Sequence, residues 1–169
     1  MTMAKKTIEK LKVYLESTIS GYATDVVSKD PLTATRQAYT RAWVEEWMPK
    51  CDCYISKYVV EENRKGNKLK AEKRNNFNAM FPMIDVDEKL VSVLAQKLLV
   101  PYGQIPKDEK TDAYHIATAA IYKMDIVLTW NFRHIRNLRI LPATYSQIAL
   151  AGYKCPQIMT PQEFMEAYV

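Results

Sequence analysis

A three-layer α/β/α domain with a mostly parallel central sheet is the fold this sequence predicts, and three observations predict it. Short apolar segments rich in β-branched or aromatic residues alternate with amphipathic helical segments. Strands joined through helices imply crossovers and a parallel sheet covered on both faces. The chain has 169 residues, 48% hydrophobic and 25% charged, a usage that suits one folded domain and excludes disordered and collagen-like chains. Polar residues directly follow two of the apolar segments, at Glu16 and Asn131, and ligands of such sheets bind beyond the carboxyl ends of the strands.

A polar tail over 1–10 precedes a single domain over 11–169. Leu11-Lys12-Val13-Tyr14-Leu15 has the alternation of a short strand, which stops at Glu16-Ser17-Thr18. Over 32–48, Tyr39, Trp43 and Trp47 fall on one helical stripe, and Pro49 ends it. Cys53-Tyr54-Ile55 reads as a second strand. A helix over 57–65 follows, with Ser56 as N-cap and Gly66 closing it in the left-handed conformation. Residues 67–80 read as a polar helix and 83–86 as a strand. The next helix, 88–100, has Leu90, Val91, Leu94 and Leu98 on one face and is interrupted by Pro101. A helix over 109–123 carries Ile116, Ala117, Ala120 and Ile121 at helical spacing, and 125–129 is a buried strand. A helix over 141–151, an edge strand at 157–159 and a last helix from Pro161 complete the chain, with Thr160 and Glu163 at capping-box spacing.

Lys and Arg number 24 against 19 Asp and Glu, a net charge of +5 that favours anionic partners, nucleic acid among them. No stretch approaches the ~20 apolar residues of a transmembrane helix, and the start MTMAKKTIEK lacks the apolar core of a signal peptide. A cytosolic, cytoplasmic protein with no membrane partner is expected. Cys51, Cys53 and Cys155 are odd in number and have no second pair at zinc spacing, which predicts free structural thiols. Neither a GxGxxG nor a P-loop sequence occurs, which counts against a nucleotide-binding module.

Four segments carry chemistry when compared together: Val13-Tyr14-Leu15-Glu16-Ser17-Thr18, Val59-Val60-Glu61-Glu62, Thr111-Asp112-Ala113-Tyr114-His115-Ile116-Ala117 and Leu128-Thr129-Trp130-Asn131-Phe132. Over about residues 11–135 the chain resembles the PIN-domain nucleases, and within them the small bacterial VapC-type ribonucleases that act as toxins in toxin–antitoxin pairs. The resemblance implies a PIN-like fold with a pocket of acidic residues that holds Mg²⁺ or Mn²⁺ and hydrolyses RNA phosphodiester bonds. Glu16 stands where the motif has Asp after the first strand. Glu62 matches the helix glutamate, in preference to Glu61, because Gly66 follows four residues later. Asp112 opens the DAxHIA-like helix, and Asn131 stands where a fourth acidic residue follows the last core strand. The implied metal ligands are Glu16, Glu62 and Asp112, with Asn131 completing the catalytic set or positioning water. Glu16 is one methylene longer than Asp, and Asn131 keeps an oxygen but removes a charge, so a second tightly held metal is not expected.

The chemistry has its own reason: a hard divalent cation takes oxygen ligands, neutralises phosphate and lowers the pKa of bound water. Ser17 or Thr18 could offer a hydroxyl to the carboxylates or to a phosphate, and Thr129 sits beside the same strand end. Arg133, Arg136 and Arg139, and the basic run containing Arg64 and Lys65, could contact the RNA backbone, while Trp130 and Tyr114 could stack on a base. His115, one turn from Asp112, is read as orienting that carboxylate or as a hydrogen-bonded core residue rather than as a general base. Trp43 and Trp47 are read as core or dimer packing. Glu61 and Asp125 are left out of the site.

Two function classes follow. The first is a metal-dependent endoribonuclease, acting on RNA as a homo-oligomer, a dimer, and held by an antitoxin protein. The second is a PIN-like module that binds RNA or protein with an impaired metal site.

Overall fold

The computed structural model describes residues 10–168, so the tail expected over 1–10 lies, apart from Lys10, outside the described residues. Four parallel strands form one sheet in the order β2-β1-β3-β4. They are β1 (Lys12–Leu15), β2 (Asp52–Tyr54), β3 (Ile126–Leu128) and β4 (Gln157–Met159). Val13 lies opposite Cys53 on one side and Ile126 on the other, and Ile126 lies opposite Gln157. Val13, Tyr14 and Leu15, like Ile126, Val127 and Leu128, are buried, the signature of central strands in a parallel sheet with helices on both faces. The α/β/α fold with a parallel sheet is therefore the observed one. Among the described residues no helix is long and apolar enough to cross a membrane.

The chain runs from β1 out to β2 on one side and then returns to β3 on the other. The strand order therefore reverses between β1 and β3, and it is beyond the carboxyl ends of strands at such a reversal that sheets of this kind bind ligands. Helix α1 (Ser17–Thr24) leaves β1 at that point. The sequence reading has no helix there, because Thr18, Ile19 and Gly21 are weak helix formers. What starts α1 is a cap held by tertiary contact: Glu16 occupies the N-cap, its carboxylate accepts the Thr18 amide at 3.2 Å, and Thr129 from beyond β3 donates to the same carboxylate.

Helix α2 (Pro31–Glu46) begins at Asp30, whose carboxylate accepts the Thr33 amide at 2.8 Å. The aromatic stripe expected as a possible dimer face is covered by the chain's own α8 (Pro161–Tyr168): the Phe164 ring centre lies 5.6 Å from Trp43 and 5.5 Å from Trp47. Trp43 is fully buried, so this stripe belongs to the core. At the start of α8, Thr160 and Glu163 form the expected reciprocal cap, with the Glu163 amide donating to Thr160 at 3.1 Å and the Thr160 amide to Glu163 at 2.8 Å.

Helix α3 (Lys57–Asn63) follows β2, and Gly66 adopts φ +85° beyond it, as its spacing predicts. Ser56 stands at the N-cap position, yet its hydroxyl turns inward to the Tyr14 hydroxyl at 2.7 Å and does not cap the helix. After α4 (Lys68–Asn78), the strand expected at 83–86 is reduced to one bridge between Ile55 and Met83. Asp85 and Asp87 are exposed there, and β2 keeps its continuous pairing for β1.

The single helix expected over 88–100 divides. Helix α5 (Glu88–Ser92) passes into a wider-wound segment, Val93–Leu99, in which the Val100 amide reaches back five residues to the Ala95 carbonyl at 2.9 Å. Gly103 closes it from the side. A Cβ at that position would lie 2.6 Å from the Leu99 carbonyl oxygen, so only glycine fits. Helix α6 (Lys110–Ile121) buries Asp112 and His115 together with its apolar face. Helix α7 (Leu141–Leu150) leads to β4, and the Tyr145 hydroxyl accepts the Ile158 amide at 3.1 Å.

Candidate active site

Glu16 is 2% exposed and sits at the carboxyl ends of β1 and β3, where its amide donates to the Leu128 carbonyl at 3.1 Å. A carboxylate so buried needs donors, and it has them. The Thr18 and Thr129 hydroxyls donate to its Oε2 at 2.6 and 2.7 Å, and the Ser17 hydroxyl to its Oε1 at 2.6 Å. Thr18 Oγ1 also accepts the Trp130 amide at 2.9 Å, and Thr129 Oγ1 the Asn131 amide at 3.0 Å. Of the two roles expected for Ser17 and Thr18, a hydroxyl to the carboxylates is the one observed, and Thr129, expected to bind substrate, is likewise directed at Glu16 and fully buried. They hold Glu16 and tie the end of β1 to the end of β3.

Glu62 reaches the same place from α3. Ser17 Oγ lies 2.9 Å from its Oε1, and His115 Nε2 bonds the same oxygen. His115 is fully buried, and its Nδ1 lies 2.7 Å from the Tyr14 hydroxyl, which in turn meets Ser56. A line of four side chains thus runs from the core to Glu62. Burial works against charge on His115, but the hydrogen bond and charge of Glu62, with Glu16 and Asp112 behind it, raise the imidazole above its ordinary value. Burial likewise opposes charge on Glu62, and His115 and Ser17 outweigh it, so this carboxyl is lowered. Of the two roles expected for His115, the buried hydrogen-bonded one is observed, and the carboxylate it orients is Glu62 rather than Asp112.

Asp112 enters from the first turn of α6, with Asn131 Nδ2 donating to its Oδ1 at 3.2 Å and His134 Nδ1 meeting its Oδ2 at 2.8 Å. Burial pushes its carboxyl from 3.8 to about 6, helped by the charge of Glu16 and opposed by His115 and His134. The Asn131 side-chain oxygen accepts the His134 amide at 3.0 Å, which fixes the turn that carries His134.

The ligand atoms fall into two groups. Glu16, Glu62 and His115 place one each within 4.8 Å of one another, and Glu109, Asp112 and His134 do the same. Asp112 thus belongs with His134 rather than forming a third member of the Glu16–Glu62 group at that spacing, although it feels the charge of Glu16. The donor set fits a hard divalent cation. Ser17 Oγ lies within hydrogen-bond reach of both Glu16 and Glu62, and a hydroxyl has one proton to give. One of the two carboxylates therefore faces an oxygen lone pair, a repulsion that a cation relieves.

Arg64 and Lys65 lie exposed at the end of α3, and Arg133 lies exposed two residues beyond Asn131. Arg74 instead donates to the Asn63 and Lys65 carbonyls at 3.0 and 2.8 Å, and Arg136 pairs with Glu163 at 2.8 Å, so these two cations of the basic segments serve the fold. Trp130, expected as a stacking residue, is 5% exposed, and its Nε1 donates to Thr40 at 2.8 Å. Asp125 is at the opposite end of β3, where it accepts the Lys12 amide at 2.9 Å and pairs with Lys154. Cys51, Cys53 and Cys155 are free, and burial pushes the Cys53 thiol up to about 12.

Sequence reasoning missed Tyr14, Glu109 and His134. Tyr14 reads as one more apolar strand residue, and nothing in its spacing marks it. For His134 a signal existed: Asn131 three residues earlier has the spacing of a side-chain cap over a turn. No protein-family model matches the chain, and no curated protein sequence does either.

Proposed function

We propose that this chain is a cytosolic endoribonuclease of the PIN-domain type, dependent on Mg²⁺ or Mn²⁺, and the toxin of a toxin–antitoxin pair. The observation that carries this reading is convergence. Glu16, Glu62 and Asp112 come from three distant segments, Glu16 and Glu62 share Ser17 and the charges of Glu16 and His115 act on Asp112, and each has its own hydrogen-bonded support, which favours this reading. Burying carboxylates near one another is unfavourable, and Asp112 registers that cost in its raised pKa. Such perturbed groups concentrate at functional sites.

Glu16 and Glu62 would hold the cation, with Asp112 and Asn131 beside it. A bound cation would supply charge neutralisation for the scissile phosphate and a water of lowered pKa. The chain's own residues hold these groups in place: Thr18 and Thr129 fix Glu16, His115 fixes Glu62, and Asn131 and His134 fix Asp112. Arg64, Lys65 and Arg133 supply positive charge for the RNA backbone.

A second reading, an RNA- or protein-binding module with an impaired metal site, draws on one observation. Both histidines of the chain already bond a site carboxylate, His115 with Glu62 and His134 with Asp112, so an oxygen of each of these carboxylates is already engaged by the protein itself. One experiment separates the two. Purified protein and its Asp112→Asn variant are incubated with a mixed RNA pool in Mn²⁺ and in chelator. Chelator-sensitive cleavage lost in the variant supports the nuclease. Cleavage unchanged in the variant refutes the assignment, and RNA binding without cleavage or metal uptake supports the binding module. Growth arrest on expression, relieved by a small partner protein, is the corresponding result for the toxin role.

A further inference from the structure

Phe132 follows Asn131 on the loop that leaves β3, and it is 43% exposed. A single exposed phenylalanine is ordinary on a protein surface, but its neighbours are informative. Arg36 of α2 places its guanidinium carbon 5.1 Å from the Phe132 ring centre and 5.7 Å from that of Trp130, so one cation lies against both rings. Its side-chain hydrogen bond among the described residues goes to the Tyr22 hydroxyl at 3.4 Å, with no carboxylate paired to it. Arg133, next to Phe132, is exposed and likewise has no ion pair among the described residues.

This surface is rigidly connected to the carboxylates. Trp130, 6.2 Å from Phe132 between ring centres, is clamped by its bonds to Thr40 and to Thr18, and Thr18 is a ligand of the Glu16 side chain. On the other side of Phe132 the turn is held by Asn131, which also bonds Asp112. A partly exposed aromatic ring on the loop that supplies the candidate site with Asn131 and His134 thus lies beside two cations free of carboxylate partners, Arg133 on the same loop and Arg36 on α2 against the ring. Planar, polarisable bases stack on such a face, and the phosphates on either side of a base match the two guanidinium groups. A base inside a duplex has both faces covered, so the arrangement suits a single strand.

We propose that Phe132 is the stacking face of a subsite for one unpaired nucleobase, with Arg36 and Arg133 taking the flanking phosphates. The proposal rests on the ribonuclease reading, since it supplies the strand that the cluster would cut. The sequence points to Trp130 and Tyr114 for this role, but Trp130 is buried and Tyr114 is half-buried on α6, its ring 4.9 Å from that of Tyr58 and its hydroxyl bonded to Gln96 and Ser92.

The test is the affinity of the full chain for fluorescein-labelled single-stranded oligouridylate and for an abasic strand of equal length. Chelator prevents cleavage, and anisotropy is the readout. Phe132→Ala is expected to weaken oligouridylate binding about 5- to 150-fold, the worth of one base stacked on an aromatic ring. It should leave the abasic strand unchanged. Phe132→Leu, which keeps apolar volume without the π-face, is expected to resemble Phe132→Ala, and Phe132→Tyr to resemble the parent. Equal affinity of parent and Phe132→Ala for oligouridylate overturns the subsite, as does an equal loss on the abasic strand or no binding by the parent. Metal-dependent cleavage measured on the same preparations separates the two ideas. Cleavage with a neutral Phe132→Ala removes the subsite and keeps the nuclease, whereas no cleavage and no binding removes both.

Discussion

Replacing Asp112 by Asn is expected to make the metal-free protein more stable while abolishing its proposed activity. Burial and the neighbouring Glu16 charge raise the Asp112 carboxyl from 3.8 to about 6, so the folded chain binds this proton more tightly than the unfolded chain does. The sign follows: the group favours the folded state fully below pH 3.8, and that advantage disappears as pH rises through about 6. Above that, the folded protein carries a buried charge worth about 3 kcal/mol of strain relative to the protonated form. Asn is nearly the same shape and carries no charge. It can still offer an oxygen to Asn131 Nδ2 or to His134, and the raised value already includes what His134 gives the charged form. The net gain at pH 8 is then up to about 3 kcal/mol, a rise in Tm of up to about 6–12 °C for a chain of this size. Thermal unfolding in chelator from pH 4 to pH 8 measures it. The variant should gain on the parent as pH rises, with the difference growing through about pH 6. A variant that instead loses stability progressively as pH rises would refute the reasoning, because Asp112 would then be a stabilised carboxylate rather than a strained one.

Tyr14→Phe removes a fully buried hydroxyl that meets both Ser56 and His115 at 2.7 Å. Urea denaturation should show a loss of about 1–3 kcal/mol, and adding Ser56→Ala to it should cost less than the sum of the two single changes. Glu163→Gln bears on acid stability. Burial opposes charge on Glu163, but Arg136 and the Thr160 amide outweigh it and hold the carboxyl below its ordinary 4.5. Its contribution is therefore present above pH 4.5 and lost as pH falls through the lower folded value. The parent should lose more Tm than the variant between neutral pH and that acid range, and parallel curves would count against the Arg136–Glu163 pair.

The legible part of this protein was the part governed by local pattern. The β-branched and aromatic runs at Val13-Tyr14-Leu15 and Ile126-Val127-Leu128 become the two central strands, because burial on both faces demands continuous apolar sequence. The reciprocal cap at Thr160 and Glu163 and the positive φ at Gly66 were equally readable, since each is set within a few residues. Where local preference was weak, the reading failed. Helix α1 depends on Glu16 as its cap, and Glu16 is held by Thr129, more than a hundred residues away. The edge segment near Met83 had strand-like composition, but only a single bridge to Ile55 forms.

For the candidate site, the sequence by itself named Glu16, Glu62, Asp112 and Asn131 and put Glu16 and Asn131 beyond strand ends. It also determined an α/β fold whose strands are joined by helices, for that follows from alternating periodicities. Tertiary structure alone decided how these side chains are held. It turned His115 toward Glu62, gave Asp112 to His134, enlisted Tyr14 as an anchor, and buried Trp130 while leaving Phe132 at the surface. The physical reason is range. Periodicity and capping are set within one or two turns of chain, whereas a buried polar group takes whichever donor the packing brings within about 3 Å, and sequence separation does not limit that choice.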